Sequence, residues 1–384
     1  MKAYLILEDG TVFKGQSVGS TKEAISEIVF NTSMTGYLEV LSDPSYAGQA
    51  VVMTYPLIGN YGITPDMESN KAWPDGYIIK EISRLPSNFR SWGGLNEFLI
   101  RQDIPGICKI DTRALTKLLR EKGTMNGMIT TDEAFKTEEV LQRIKAYRTK
   151  DAVARVTCKS RFIADDEDFK SWTPSEKEAD IGNKCVNSSG IGKGSKKKFR
   201  VALMDFGAKR NIIRSLQNRG CEVVVFPAFA SANEIIGNKP DGIMLSNGPG
   251  DPEDNKSIIK EIKTLYETTI PIFGICLGHQ LMALAMGGKT YKLKYGHRGG
   301  NHPVKELVTG RVYISSQNHG YAVEAGSIDE SIGKEAFVNV NDGTNEGFIY
   351  ARKGVFTVQF HPEACPGPTD TAFLFDRFID SMKT

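Results

Sequence analysis

Along the first 150 residues, apolar and polar positions alternate in short runs. Residues 3–8 read as a strand, Asp9-Gly10 as a hairpin turn and residues 11–14 as the returning strand. Residues 27–30 and 49–54 read as further strands, set apart by turn clusters at Asp43-Pro44-Ser45 and Gly59-Asn60. Residues 111–123 break the pattern. Leu115, Leu118 and Leu119 fall on one helical stripe, Asp111 or Thr112 can cap its start, and Gly123 stops it. The sum predicts a mixed, β-rich domain over residues 1–155, without histidine and without paired carboxylates at helical spacing.

From about Lys159 the pattern dissolves. The acidic Asp165-Asp166-Glu167-Asp168, a stretch rich in Gly, Ser and Asn, and the basic Lys196-Lys197-Lys198 read as a linker, assigned to residues 156–198. At Phe199 the rhythm changes. Strands at 201–204, 222–225, 242–245, 270–273 and 355–359 alternate with helices at 211–219, 232–236, 257–267 and from Gln280 onward. This predicts an α/β domain over 199–384 with a doubly wound, mostly parallel sheet. Such sheets bind ligands beyond the carboxyl ends of their strands.

Three motifs fall on such ends. The first is Gly274-Ile275-Cys276-Leu277-Gly278-His279-Gln280, a strand, a sharp turn bearing a thiol, and a helix. It has the logic of the nucleophile elbow, with small neighbours for a strained turn and a helix N-terminus that favours a thiolate. The second is Ser246-Asn247-Gly248-Pro249-Gly250-Asp251-Pro252, whose glycines let a backbone approach a ligand and whose N–H groups can face an oxyanion. The third is His361-Pro362-Glu363, a histidine able to act as base with a carboxylate to orient it. Each has a plain structural reading too: a buried core cysteine, a tight turn, a satisfied loop histidine. Together, at three strand ends of one domain, they favour catalysis.

Composition changes this picture little. The chain has 384 residues, 40% hydrophobic and 24% charged, with a formal charge of +2. Those values describe an ordinary globular protein and give no reason to expect nucleic acid or a membrane as partner. No apolar stretch reaches the ~18–20 residues of a membrane span, and the N-terminus turns acidic too soon for a signal peptide. Six scattered cysteines, with no C-x-x-C pair, predict a reduced, cytoplasmic protein without disulfides. All five histidines lie in the second half. His297 and His302 show no third ligand at orderly spacing, so no metal site is expected and both read as loop histidines.

The three motifs of the second half resemble those of the class I, triad-type glutamine amidotransferases. The first half narrows the likeness through Phe30-Asn31-Thr32-Ser33-Met34-Thr35-Gly36-Tyr37, Asp43-Pro44-Ser45-Tyr46 and Ile110-Asp111-Thr112-Arg113. With Asp205-Phe206-Gly207-Ala208-Lys209-Arg210-Asn211, residues 296–304 and Gln317-Asn318-His319-Gly320-Tyr321, nearly the whole chain resembles the small, glutaminase subunits of carbamoyl-phosphate synthases. The resemblance implies that Cys276 attacks the side-chain amide of glutamine, with His361 as base and Glu363 orienting it. It implies an oxyanion hole at the Gly248 and Leu277 N–H groups. It places glutamine contacts on Ser45, Gly248, Gly250, Leu277, Gln280, Asn318, Gly320 and Tyr321, the last through its backbone. Ser45 belongs to the first domain, so the two domains are expected to meet at the site.

The same resemblance implies a large-subunit partner that receives ammonia and makes carbamoyl phosphate from bicarbonate and ATP, for arginine and pyrimidine synthesis. ATP and Mg are expected on that partner and no cofactor on this chain. Heterodimers, and higher oligomers of them, follow from the same likeness. Competing readings are the glutaminase part of another synthetase, a docking subunit without chemistry, and a free-standing amidase. Cys365 receives no role.

Overall fold

The structure is a computed structural model and describes residues 1–164, 199–365 and 367–383. The linker assignment falls mostly on residues 165–198, which lie outside the described residues.

The first domain is a closed barrel. Its strands are β1 (Lys2–Leu7), β2 (Val12–Gly19), β3 (Ala24–Asn31), β4 (Gln49–Met53), β5 (Gly76–Ile78), β6 (Pro105–Cys108) and β7 (Met125–Thr130). They follow one another in the order β1-β2-β6-β5-β4-β3-β7, and β7 returns to β1. Alternation along the strands sorts the side chains onto two faces. Leu5, Leu7, Ile28, Phe30, Val52, Ile78 and Ile129 form one cluster. Val29, Val51, Met53 and Tyr77 belong to another.

Helices α1 (Tyr37–Ser42) and α2 (Leu95–Arg101) pack Leu38, Leu41 and Phe98 into the second cluster. Helix α3 (Thr112–Lys122) packs Leu115 and Leu119 into the first. It is capped as its sequence suggests: the Asp111 side chain accepts from the Ala114 N–H, and Gly123 ends it with φ 98°. Helix α4 (Thr137–Ala146) packs Val140 and Ile144 against Ile6 and Met128 of the barrel, and α5 (Ala152–Val156) leads out of the domain.

Residues 157–164, read as the start of the linker, belong to the second domain. The Cys158 N–H donates to Asp205 at 2.7 Å. The short strand β8 (Phe162–Ile163) then pairs antiparallel with the edge of the second sheet.

Among the described residues that sheet has ten strands. Its parallel core comprises β9 (Phe199–Asp205), β10 (Cys221–Pro227), β11 (Gly242–Leu245), β12 (Ile272–Ile275) and the tail strand β17 (Val355–Val358), ordered β10-β9-β11-β12-β17. Helices α6 (Arg210–Gln217) and α10 (Phe373–Ser381) cover one face, over Val201, Leu203, Phe273 and Phe356. On the other face α7 (Ala232–Gly237), α8 (Lys256–Tyr266) and α9 (Leu277–Ala285) cover Ala202, Met204, Ile243 and Leu245. Both faces are therefore apolar, which is why these strands read as continuous hydrophobic runs.

Beyond β17 the sheet continues antiparallel through β16 (Asn345–Tyr350), β15 (Gly333–Asn339), β13 (Thr290–Glu306) and β14 (Val312–Val323). His297 and His302 therefore sit in a long strand and not in a loop. Two register shifts between β13 and β14 break the alternation that would have revealed it. Among the described residues, no helix is long and apolar enough to cross a membrane.

Candidate active site

Strand β12 ends at Ile275 and α9 begins at Leu277, so Cys276 alone makes the turn. It is held at φ 53° and ψ −105°, a conformation that costs a non-glycine residue ~1–3 kcal/mol. The fold supports it closely. The Cys276 N–H donates to the Val358 carbonyl at 2.8 Å, and the Gly278 N–H to the Ser246 carbonyl at 3.0 Å. A Cβ on Gly278 would lie 2.3 Å from the Leu245 carbonyl oxygen, so the helix can approach the sheet this closely only with glycine there.

The cysteine is buried, and its Sγ lies 3.6 Å from the Asn318 carbonyl oxygen. Burial, aided by the negative Asp43, pushes the thiol up to about 12, against the opposing pull of Lys209 and of the Leu277 N–H. The resting group is thus a thiol, not the thiolate that the helix N-terminus suggests. Desolvation outweighs the end of one short helix.

The thiol's proton therefore needs an acceptor. His361 lies just beyond β17, fully buried, with its Nδ1 2.6 Å from Glu363 Oε1. An ionised Glu363 makes Nδ1 the proton-bearing nitrogen, which leaves the lone pair on Nε2. That Nε2 is buried and has no hydrogen-bond partner among the described residues. Burial alone would raise the Glu363 pKa. The contact with His361 and the charge of Lys209 overcome it and hold the carboxyl at about 2.

Lys209, in the loop between β9 and α6, completes the group. Its Nζ lies 3.3 Å from Glu363 Oε1 and 3.8 Å from Asp43 Oδ2. Burial works against its charge, but Asp43, Glu363 and Glu68 together hold its pKa above the ordinary lysine value. The Asn211 side-chain amide also donates to the Glu363 carbonyl. Sequence reasoning gave Lys209 and Asp43 no role. The available signal was position: Lys209 follows the carboxyl end of β9, on the edge where Cys276 and His361 lie.

In front of Cys276 is a cleft of about 420 Å³ walled by both domains. Ser45, Gly248, Gly250, Cys276, Gln280, Asn318, Gly320 and Tyr321 all line it. Leu277 stands at the elbow beside it, and His361 and Glu363 are buried outside its lining.

The domains are joined at the cleft floor. Asn247 Nδ2 donates to Ser45 Oγ at 2.9 Å, and Asn318 Nδ2 to Asp43 Oδ2 at 2.9 Å. Gln280 Nε2 donates to the Tyr321 carbonyl at 2.8 Å and to Gln359 Oε1 at 2.9 Å, tying α9 to the cleft wall. At Gly248 a Cβ would meet the Phe206 carbonyl oxygen at 2.2 Å, which fixes glycine there. The wall also carries Glu27 and Asp251 alongside Lys292 and Arg298, charges of both signs that suit a zwitterionic amino acid. A second cavity of about 400 Å³ shares Asn318 with the cleft and is lined further by Asp43, Glu68, Lys209 and Cys365.

Residues 202–381 match the family described as glutamine amidotransferase class-I. Residues 5–129 match the one described as carbamoyl-phosphate synthase small chain, CPSase domain. A carbamoyl phosphate synthase small chain of Fusobacterium nucleatum subsp. nucleatum is 48% identical over 379 residues, covering 98% of this chain and 97% of that protein. The small chain of Clostridium perfringens is 47% identical and covers 99% of each. That of Syntrophotalea carbinolica is 47% identical, covering 100% of this chain and 98% of its own.

Proposed function

This chain belongs to the carbamoyl-phosphate synthase small chain family and is a glutamine amidotransferase, and from that premise we propose how its residues divide the work. Cys276, His361 and Glu363 form the catalytic triad. The observation that carries this is the strained, buried cysteine of the elbow, standing in one site with a histidine whose Nδ1 is locked on a buried carboxylate.

Glutamine enters the cleft with its side-chain amide over Cys276. His361 Nε2 takes the thiol proton as Sγ attacks the amide carbon. The imidazolium so formed is stabilised by Glu363, and Lys209 holds that carboxylate in place. The Gly248 and Leu277 N–H groups receive the developing oxyanion, where a single donor is worth ~3 kcal/mol. Collapse breaks the C–N bond, and His361 returns the proton to the departing ammonia. Water, deprotonated by the same histidine, then attacks the γ-glutamyl thioester and releases glutamate and the thiol. Because the resting thiol is protonated, nucleophile and acid appear together only when substrate is in place.

Ser45, Gly250, Gln280, Asn318, Gly320 and Tyr321 shape the cleft around the glutamine, Ser45 from the first domain. The ammonia passes to a large subunit that holds ATP and Mg and makes carbamoyl phosphate for arginine and pyrimidine synthesis in the cytoplasm. This chain and the large subunit form heterodimers that can assemble further. The second cavity, which shares Asn318 with the cleft, supports an exit for ammonia on the Lys209 side. Acid quenching during turnover tests the covalent step. A γ-glutamyl adduct on the Cys276 peptide, absent from Cys276→Ser, is expected. An adduct elsewhere, or none while glutamate is produced, would contradict it.

A further inference from the structure

We propose that His297, His319 and Glu346 form a binding site for a divalent transition-metal ion of the zinc class, behind the strand that walls the cleft. The sequence shows no third ligand beside His297 and His302. The fold supplies two from elsewhere. His297 and His319 are cross-strand partners on β13 and β14, with rings 4.9 Å apart and nearly perpendicular. Glu346 enters from β16. Ligating atoms of the three residues all lie within 4.8 Å of one another, and His297 Nδ1 is 3.6 Å from Glu346 Oε1. Ligands at 2.0–2.1 Å around a tetrahedral ion stand about 3.4 Å apart, so side-chain shifts of about 1 Å would close the site.

The outer side of each ligand is already engaged. His297 Nε2–H donates to Asp342 Oδ2 at 2.8 Å. His319 Nδ1–H donates to the Tyr321 carbonyl at 2.8 Å. Glu346 Oε1 accepts from Asn339 Nδ2 at 3.2 Å. This is the supporting shell of imidazole–metal centres, which fixes the tautomer and aims the free lone pair inward.

The inner side is unsatisfied. Among the described residues, His297 Nδ1 and Glu346 Oε2 have no hydrogen-bond partner, the nearest approach to Nδ1 being Glu346 Oε1 at 3.6 Å, although the residues are 8% and 0% exposed. His319 Nε2 faces Gln317 Oε1 at 3.2 Å, an acceptor against an acceptor. Rotating the Gln317 amide relieves that pair. Buried acceptors turned toward one point are costly unless a cation or a proton stands between them. Two neutral imidazoles and one carboxylate suit a zinc-class ion, with the fourth position open to water or the Gln317 oxygen.

The ion would not touch the reacting atoms. His319 itself lines the cleft between Asn318 and Gly320, so an ion held on its ring would stiffen that wall.

The test uses the full chain carrying Cys276→Ser, so that the cleft thiol cannot bind the probe. The protein is stripped with a chelator, equilibrated with Co²⁺ or Zn²⁺ alone and freed of excess metal. We expect about one retained ion per chain. Co²⁺ should give the visible bands of a four-coordinate centre without a thiolate charge-transfer band. Glu346→Gln and His297→Gln should each weaken binding at least tenfold, and Asp342→Asn about tenfold through the supporting shell. The folded parent decides the question alone by nitrogen NMR. Under saturating Zn²⁺, His297 Nδ1 should carry no proton and its nitrogen resonance should shift as it binds the ion. Retention far below one ion per chain, a thiolate band, binding unaffected by Glu346→Gln, or a proton that stays on Nδ1 under Zn²⁺ would overturn the proposal. The last result would make the gap the seat of a histidinium between Asp342 and Glu346.

Discussion

Glu363→Gln is the sharpest probe of the triad, because it removes one charge and almost no volume. In the parent, a fully buried carboxylate accepts from His361 Nδ1 across 2.6 Å. When His361 takes the thiol proton, this contact becomes an ion pair. With about 4 Å between charge centres and an effective dielectric of about 20, the attraction is about 4 kcal/mol. Losing it from the transition state slows turnover roughly a thousandfold. The amide adds a second penalty: by turning its NH₂ to Nδ1 it can select the tautomer with the proton on Nε2, which cannot accept one from Cys276. In the serine-protease triad the equivalent change costs about ten-thousandfold. We therefore expect glutamate release to fall by roughly 10³–10⁴ with little change in KM.

Stability serves as the control for that variant. The drop of Glu363 from an ordinary 4.5 to about 2 means its ionised form stabilises the folded chain by roughly 3 kcal/mol. That contribution is fully present above pH 4.5 and is lost as pH falls through about 2. The variant should be less stable than the parent at pH 7, and the difference should fade between those limits. A folded Glu363→Gln chain that keeps turnover within about tenfold of the parent would refute the assigned roles.

Three further outcomes follow from the same site. Lys209→Met leaves two buried carboxylates without their cation, so urea unfolding should show a loss of ~3–5 kcal/mol, and an unchanged midpoint would contradict the network. Alkylation of Cys276 by iodoacetamide in the free chain should keep rising from about pH 6 to beyond pH 9, since burial holds the thiol protonated. A plateau near neutrality would show a resting thiolate instead. Ser45→Ala removes the nearer of two acceptors of Asn247 Nδ2 and a polar group of the cleft, and should raise the KM for glutamine about tenfold while kcat stays within about twofold. An unchanged KM would remove the first domain from substrate binding.

Local signals made the central features legible. Asp111 and Gly123 marked α3 because a cap and a left-handed stop act within their own helix. The five parallel strands were visible because burial on both faces leaves them few polar positions, such as Arg200, Glu222 and Thr357, to confuse the reading. The elbow was visible because a positive φ at Cys276 demands small neighbours that stand beside it in sequence. What stayed hidden depends on distant partners. Lys209 reads as a solvated lysine until Asp43 and Glu363 close on it from two domains. Strand β13 reads as a loop because its register slips twice and its partners, β14 and β15, follow later in the chain. The state of the Cys276 thiol was misjudged because the helix N-terminus is written in the sequence, whereas the depth of burial is not.

Cys276 is proposed to hydrolyse glutamine on behalf of a large subunit. The most direct measurement is glutamate release by this chain, alone and with a carbamoyl-phosphate synthase large subunit supplied with ATP and bicarbonate, beside Cys276→Ser. Slow release alone, strong stimulation by the partner and abolition in the variant are predicted. Release that ignores the partner, or that persists in Cys276→Ser, would contradict the account.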